Sequence, residues 1–172
     1  ESLNSFAWRL LEALDDDDFN EDRFAYVDAL NRRQLDYNDS SVYNAYSSFS
    51  DFETWNAWVK VWLSGKMYGD LRLFASYARY LASGDKREFF KLEDDPNPGA
   101  ICPHLPEHQA LVERAAAVLR RFEQKEIDGA AAGAEIHAIL GGAGFLPPAM
   151  DWADPKARHV DVNPPLLLNI LY

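Results

Sequence analysis

Cysteine, positive charge and long apolar runs are all scarce in this sequence of 172 residues. The single cysteine, Cys102, cannot form an internal disulfide, and one thiol fits a reducing compartment such as the cytoplasm. No apolar run approaches the roughly 20 residues that cross a bilayer. The first residues lack the basic and apolar regions of a secretory signal. We therefore expect a cytoplasmic protein that does not bind membranes.

Motifs that mark common catalytic and cofactor sites are also missing. The sequence contains neither Gly-x-Ser-x-Gly, the turn that carries a nucleophilic serine, nor the zinc-binding His-Glu-x-x-His. The glycine-rich stretch 141–144 follows a predicted helix and lacks the Lys-Ser/Thr pair of a phosphate-binding loop, so it is interpreted as a helix terminator. No cofactor is expected.

Three side chains of metal-ligating type, Cys102, His104 and His108, occur close together. Their spacing lacks the paired halves of a structural zinc site. Pro103 and Pro106 also restrict how the three side chains can converge. We therefore expect no bound metal.

Negative charge dominates the first third of the chain. Of the net charge of −11, residues 1–60 contribute 13 acidic against 5 basic side chains, a balance of −8, and the densest run is Asp15–Asp18. An acidic surface repels nucleic acid and anionic membranes and attracts basic proteins. A basic protein partner is therefore expected, without direct binding of nucleic acid.

Apolar residues recur at helical spacing along most of the chain, which predicts an all-α fold. Helices are expected over 3–14, from Asn20 to about residue 35, from Ser50 to Gly65, from Asp70 to Gly84, from Pro106 to about residue 126, and over about 131–140. Residues 36–41 are interpreted as a loop or a helix start, and short strands are possible near 89–92 and 160–162. The fold class is an irregular bundle of about six helices.

The segment 93–106 contains four prolines and is the clearest internal break. We predict one domain over 1–172, with a possible subdivision at this segment. The chain then ends in an extended, proline-rich segment whose last residues, 166–172, are strongly apolar. Such a segment is expected to dock on the domain or on a partner.

Large rings form one face of a predicted helix. Trp55, Trp58 and Trp62 follow the helical period and are expected to be buried against Phe74 and Tyr77 of the next helix. The alternative is a pocket for a planar or cationic ligand.

The favoured function is a non-enzymatic, acidic binding module, an inhibitor or an immunity or antitoxin-type protein that covers a basic surface of a toxin or a nucleic-acid-binding protein. Two alternatives stay open. One is an enzyme or ligand-binding domain that uses the Trp/Tyr face together with Asp151, Asp154, His159 and Asp161, and the other is a subunit that docks through its C-terminal apolar segment. For the favoured function no catalytic residues are predicted. The partner-binding residues would be the carboxylates and aromatic side chains Asp15, Asp16, Asp17, Asp18, Asp22, Asp36, Asp39, Tyr37, Tyr43 and Tyr46.

The stretch 122–128, followed by Glu135-Ile136-His137 and Leu140, resembles a helix–turn–helix segment of some bacterial colicin-type immunity proteins. The resemblance is confined to these residues, and the aromatic N-terminal part matches no family. It implies the same kind of function as the charge does, namely binding to a toxin.

Overall fold

The computed structural model describes residues 2–91, 93–147 and 150–157, which form helices joined by turns. The helices in this part of the chain are α1 (Ser2–Asp16), α2 (Glu21–Ser48), α3 (Phe52–Ser83), α4 (Arg87–Phe90), α5 (Pro106–Glu123) and α6 (Gly129–Gly141). The predicted all-α fold is confirmed.

The core surrounds the first half of α3, where α5 and α6 pack against it. Trp58 and Val61 of α3 meet Leu119 of α5 and Ile136 and Leu140 of α6, and all five are almost fully buried. Burial of such side chains is the main force that holds the helices together. α2 packs along α3 and α5, and α1 packs on α2 at the edge of the core.

Side-chain caps and one glycine set the ends of the long helices. Asn20, Asp51 and Asp128 each precede a helix and accept a hydrogen bond from a backbone N–H of its first turn. Gly84 ends α3 with φ of 69°, a left-handed conformation that glycine adopts without a steric penalty. Asn20 and Gly84 are therefore predicted correctly, whereas α3 begins after Asp51 and not after Ser50.

Two predicted breaks do not exist. Residues 36–41 continue α2, and most of their polar side chains are exposed, whereas Tyr37 and Ser41 are half-buried. α3 also runs through Gly65 and Asp70 without interruption. Gly65 serves close packing, since a Cβ at this position would lie 2.5 Å from the ring of His108.

The possible strand near 89–92 is also wrong for the residues that the structure describes, because Arg87–Phe90 form one helical turn. The strand predicted at 160–162, His159, Asp161 and the apolar segment 166–172 lie outside the described residues. None of the described helices combines the length and apolar character that a membrane span needs.

The aromatic face of α3 is buried only in part. Trp58 is 2% exposed, but Trp62 is 49% exposed, so the prediction that all three tryptophans are buried is wrong. Trp55 is half-buried and packs edge-on against Phe49, the residue that follows α2. Phe74 and Tyr77 are exposed and lie on the same helix as the tryptophans, so they cannot form the expected opposing face.

We expect Trp58→Ala to lower the free energy of unfolding by about 3–5 kcal/mol, as for other large buried aromatic side chains. The matched control is Trp62→Ala, which removes the same ring from a half-exposed position on the same helix and is expected to cost about 1 kcal/mol or less. Urea denaturation of both variants measures the difference. Equal losses in the two variants would contradict the assignment of Trp58 to the core.

Candidate binding cleft

A cleft of about 530 Å³ opens between α2, α3, α5 and the proline-rich segment that precedes α5. Pockets for small molecules commonly have volumes of roughly 300–1,000 Å³, with an apolar lining and a few polar groups. The volume of the cleft lies in this range, and its lining combines buried apolar residues of the core with charged, amide and hydroxyl side chains.

Core residues form the floor of the cleft. Trp58 and Val61 of α3 and Ala116 of α5 line it and are all less than a tenth exposed. Trp62 stands one helical turn beyond Trp58 and also lines the cleft, with half of its surface in contact with solvent. The floor is therefore fixed by packing, whereas Trp62 offers an exposed ring to a ligand.

Tyr37 of α2 lines the opposite side of the cleft. Burial raises the pKa of Tyr37 to about 12, against an opposing hydrogen bond with the backbone of Ile101. Tyr37 therefore stays a neutral phenol at physiological pH and connects α2 to the segment before α5.

The rim of the cleft carries equal numbers of positive and negative side chains. Arg33 and Asp36 come from α2, and Glu113 and Arg120 come from α5. Within the described part of the chain, no salt bridge joins Arg33, Asp36 or Arg120 to another residue, and Glu113 accepts a hydrogen bond of 3.2 Å from Gln109. Guanidinium, carboxylate, amide and hydroxyl groups are thus all within the lining.

Two ion pairs hold the start of the segment that forms one wall of the cleft. Arg9 of α1 donates to both carboxylate oxygens of Glu93, at 2.8 and 2.5 Å. Arg72 of α3 donates to Oδ1 of the buried Asp95 at 2.9 Å. A hydrogen-bonded pair in a partly buried position fixes geometry better than an exposed pair does. Burial alone would raise the pKa of Glu93, but its interactions with Arg9 and Ser5 together outweigh burial and lower that pKa.

Gly99 allows the same wall to lie directly on α2. Its φ is 91°, and an added Cβ would meet the backbone N of Gln34 at 2.9 Å and the side chain of Arg33 at 3.1 Å. The backbone N–H of Asn97 also donates to the carbonyl of Pro103 at 2.9 Å, which closes the loop. A glycine is required here both for the left-handed conformation and for the close contact.

The residues predicted to bind a partner are dispersed over the surface. Asp36 and Tyr37 line the cleft. Tyr43 donates to Glu123 of α5 at 2.9 Å, and Tyr46 is exposed. The other carboxylates are exposed away from the cleft and lie in or beside the loop between α1 and α2 or on the outer face of α2: Asp15, Asp16, Asp17, Asp18, Asp22 and Asp39.

Basic neighbours partly neutralise the acidic run. Arg23 donates to both oxygens of Asp16, at 2.7 and 2.6 Å, and also lies 3.5 Å from Asp18. Arg23 thereby lowers the pKa of Asp16. Arg32 lies 2.7 Å from the carboxylate of Asp28, one turn earlier on α2. A count of charges along the sequence therefore overstates the negative potential of this region.

Of the three residues considered as metal ligands, Cys102 and His108 are buried and His104 is half-buried. Cys102 is buried, and burial raises the pKa of its thiol to about 12. The His108 ring lies between α3 and α5, with Nε2 3.2 Å from Ser64 Oγ and 3.4 Å from Val61 O. Among the described residues, no group of three or more His, Cys, Asp or Glu side chains is arranged to hold a metal ion.

The acidic cluster predicted for Asp151 and Asp154 includes His159 and Asp161, which lie outside the described residues. Asp154 accepts a hydrogen bond of 2.5 Å at its backbone carbonyl from Lys60 Nζ, and Asn56 donates to the carbonyl of Pro155 at 2.9 Å. Burial lowers the pKa of Lys60. These bonds hold the segment after α6 against the first half of α3.

Sequence reasoning missed most of the cleft. Arg33, Gln109, Glu113 and Arg120 lie on different helices and share no motif. Each of these residues lies on the same helical face as an aromatic or small residue that lines the cleft. This spacing identifies a cleft only once the packing of the helices against one another is known.

Comparison with curated proteins gives two similar sequences. The chain is 34% identical over 148 residues to the monodechloroaminopyrrolnitrin halogenase PrnC of Pseudomonas fluorescens, covering 86% of the chain and 26% of that protein. It is 29% identical over 170 residues to the tetracycline 7-halogenase of Kitasatospora aureofaciens, covering 99% of the chain and 30% of that protein. The similar proteins are halogenases. The chain spans about a quarter to a third of their length, and no protein-family model matches it.

Solved structures agree with this finding. Halogenase PltM superposes with a TM-score of 0.86 at 25% identity, covering 92% of the chain and 32% of PltM. A crystal structure of PltM with phloroglucinol and FAD superposes with a TM-score of 0.85 at 26% identity. The helical fold is thus found within a longer polypeptide.

These similarities contradict the expected function. A non-enzymatic inhibitor or immunity protein with a basic protein partner was predicted from the acidic composition, and the similar proteins are enzymes that are named for small-molecule chemistry. The resemblance of residues 122–140 to immunity proteins is likewise overturned. Helical pairs of this kind recur in unrelated proteins, and net charge concerns association more than fold or function.

The buried His108 predicts a pH dependence of stability. Burial lowers its pKa, against an opposing hydrogen bond with the carbonyl of Val61, so the folded protein favours the neutral ring. Below the ordinary pKa of about 6.5 the unfolded chain gains a proton that the folded chain resists, and stability falls as the pH falls. Unfolding free energies at pH 7.5 and pH 5 should therefore differ less in His108→Gln than in the natural chain. An unchanged difference would contradict the role of His108.

Proposed function

We propose that this chain is the helical part of a halogenase that acts on a small organic molecule. The observation that supports the proposal is the similarity to two halogenases over most of the chain, together with the close superposition on a third. The two curated relatives are named for monodechloroaminopyrrolnitrin and tetracycline, and PltM was crystallised with phloroglucinol; each of these compounds contains an aromatic ring. The activity belongs to the whole enzyme, located in the cytoplasm, and this chain forms one domain of it.

The described residues do not fit the diphosphate of FAD, the cofactor bound to PltM. Dinucleotides place their diphosphate at a helix N-terminus that follows a strand and a glycine-rich turn. Here Asn20, Asp51 and Asp128 already cap the N-termini of α2, α3 and α6, and Glu21, Asp22 and Glu53 add negative charge to two of them. α5 begins with Pro106, which has no N–H to donate. The flavin is therefore held by another part of the enzyme and supplies the oxidative chemistry from there.

An exposed apolar stripe supports the presence of that other part. Leu73, Phe74, Tyr77 and Leu81 lie on the second half of α3, beyond α5 and α6, and each is at least 51% exposed. Adjacent exposed apolar residues of this size mark surfaces that another structure covers. The chain covers 30% and 32% of two of the matched proteins, so most of each protein lies outside the matched region. The flavin-binding portion of the halogenase belongs to that remainder and covers this stripe.

The activity is tested with the polypeptide that carries this chain together with the flavin-binding portion. Supplied with reduced FAD, oxygen, chloride and an electron-rich aromatic compound, it is expected to replace a ring hydrogen by chlorine. Mass spectrometry detects the product, and a reaction without chloride is the control. Conversion that is independent of chloride, or a hydroxylated product alone, would contradict the proposal.

If the flavin is held by another part of the enzyme, the isolated chain should not bind FAD. Titration of FAD with the isolated 172-residue chain should leave the flavin fluorescence and anisotropy unchanged, because side chains cap the N-termini of α2, α3 and α6 and α5 begins with a proline. The polypeptide that includes the flavin-binding portion is the positive control. Stoichiometric binding of FAD by the isolated chain would place the flavin site within it and refute this division of roles.

A further inference from the structure

We infer that the cleft between α2, α3, α5 and the Pro96–Ala100 segment binds a neutral, planar aromatic molecule with several hydroxyl groups. This inference rests on the proposed function and assigns one of its sites. The aromatic walls of the cleft, the balanced charges of its rim and its preformed shape all favour such a ligand.

The walls favour a planar ligand. Trp62 is 49% exposed although its ring is among the largest apolar side chains in the protein. Tyr37 faces the same space from α2 and is held by the backbone of Ile101. A flat ring inserted beside Trp62 removes apolar surface of both partners from water and gains an offset-stacked or edge-to-face contact.

The rim favours a neutral ligand with both donors and acceptors. Arg33 and Arg120 donate hydrogen bonds, and Asp36 and Glu113 accept them. Phenolic hydroxyl groups do both, so they can bond to either kind of group. An anionic ligand is attracted by the two guanidinium groups but repelled by the two carboxylates. A cationic ligand is attracted by the carboxylates and repelled by the guanidinium groups. The balanced rim thus gives a charged ligand no net attraction that would offset the loss of its hydration.

The cleft is preformed. Its floor consists of the buried Trp58, Val61 and Ala116, and its wall is held by Arg72–Asp95 and by the contact of Gly99 with α2. Binding therefore does not require the cleft residues to become ordered, and no part of the binding free energy is lost to such ordering. The volume of about 530 Å³ leaves room for more than a single small ring.

The test uses the isolated chain and phloroglucinol, with the indole N–H signals of the five tryptophans followed by NMR. The signal of Trp62 is expected to move with saturation, whereas that of Trp8, on α1, stays in place. The matched probe 3,5-dihydroxybenzoate, which replaces one hydroxyl by a carboxylate, should bind several-fold more weakly.

Three variants make the test specific. Ser40→Trp, at an exposed position of the lining, fills the cleft without altering the core and should abolish the shift. Trp62→Ala should weaken binding, followed on the backbone amides of the cleft, by about tenfold, the size of one aromatic stacking contact. Tyr46→Ala removes an exposed ring outside the cleft and should leave binding unchanged.

The inference is overturned by any of three results: no saturable shift with phloroglucinol, a shift that persists in Ser40→Trp, or equal binding of the carboxylate probe. The outcome is separate from that of the proposed function, because binding by the isolated chain requires neither flavin nor chloride. Binding without halogenation by the longer polypeptide refutes the proposed function alone. Halogenation without binding in this cleft refutes the present assignment alone.

Discussion

Close contact between α3 and the segments that cross it is the constraint on which the rest of the structure depends. Four glycines permit it. A Cβ on Gly133 would lie 2.9 Å from the carbonyl oxygen of Glu53, and one on Gly129 would lie 2.0 Å from the carboxyl carbon of Asp51. A Cβ on Gly65 would lie 2.5 Å from the ring of His108, and a Cβ on Gly69 would lie 2.1 Å from the carbonyl oxygen of Ile101. With larger residues at these four positions the helices would have to move apart, and the core and the cleft would both change shape.

A single helix therefore serves two purposes. The first half of α3 contributes Trp58 and Val61 to the core, and the same residues form the floor of the cleft. Trp62, one turn further on, already lies at the cleft mouth. The proline-rich segment that the sequence marks as a break becomes the cleft wall, because Arg9, Arg72 and Gly99 bind it to three different helices. The shape of the cleft and the packing of the core thus both depend on the position of α3.

The acidic composition led to the wrong class of function for a physical reason. Charge summed along a sequence ignores local pairing, and Arg23 and Arg32 neutralise part of the run and its neighbours. It also ignores what else the polypeptide contains. Solvated carboxylates keep a surface hydrated whether or not a basic partner exists. The similarity to halogenases, in contrast, extends over 86% and 99% of the chain in the two curated relatives.

Local signals determined the helical class and several boundaries of this protein, because a cap such as Asn20 or a left-handed Gly84 acts within one turn of the backbone. The same reasoning failed at Gly65, where a residue that ends many helices instead makes room for His108. Asp36 and Tyr37 were singled out from the sequence, but for a different role and without Arg33, Trp62, Glu113 or Arg120 as neighbours. The tertiary structure alone decided which aromatic rings lie in the core and which line the cleft, because this depends on where α5 and α6 cover α3. These contacts join residues about 50 to 80 positions apart, and no short stretch of sequence encodes them.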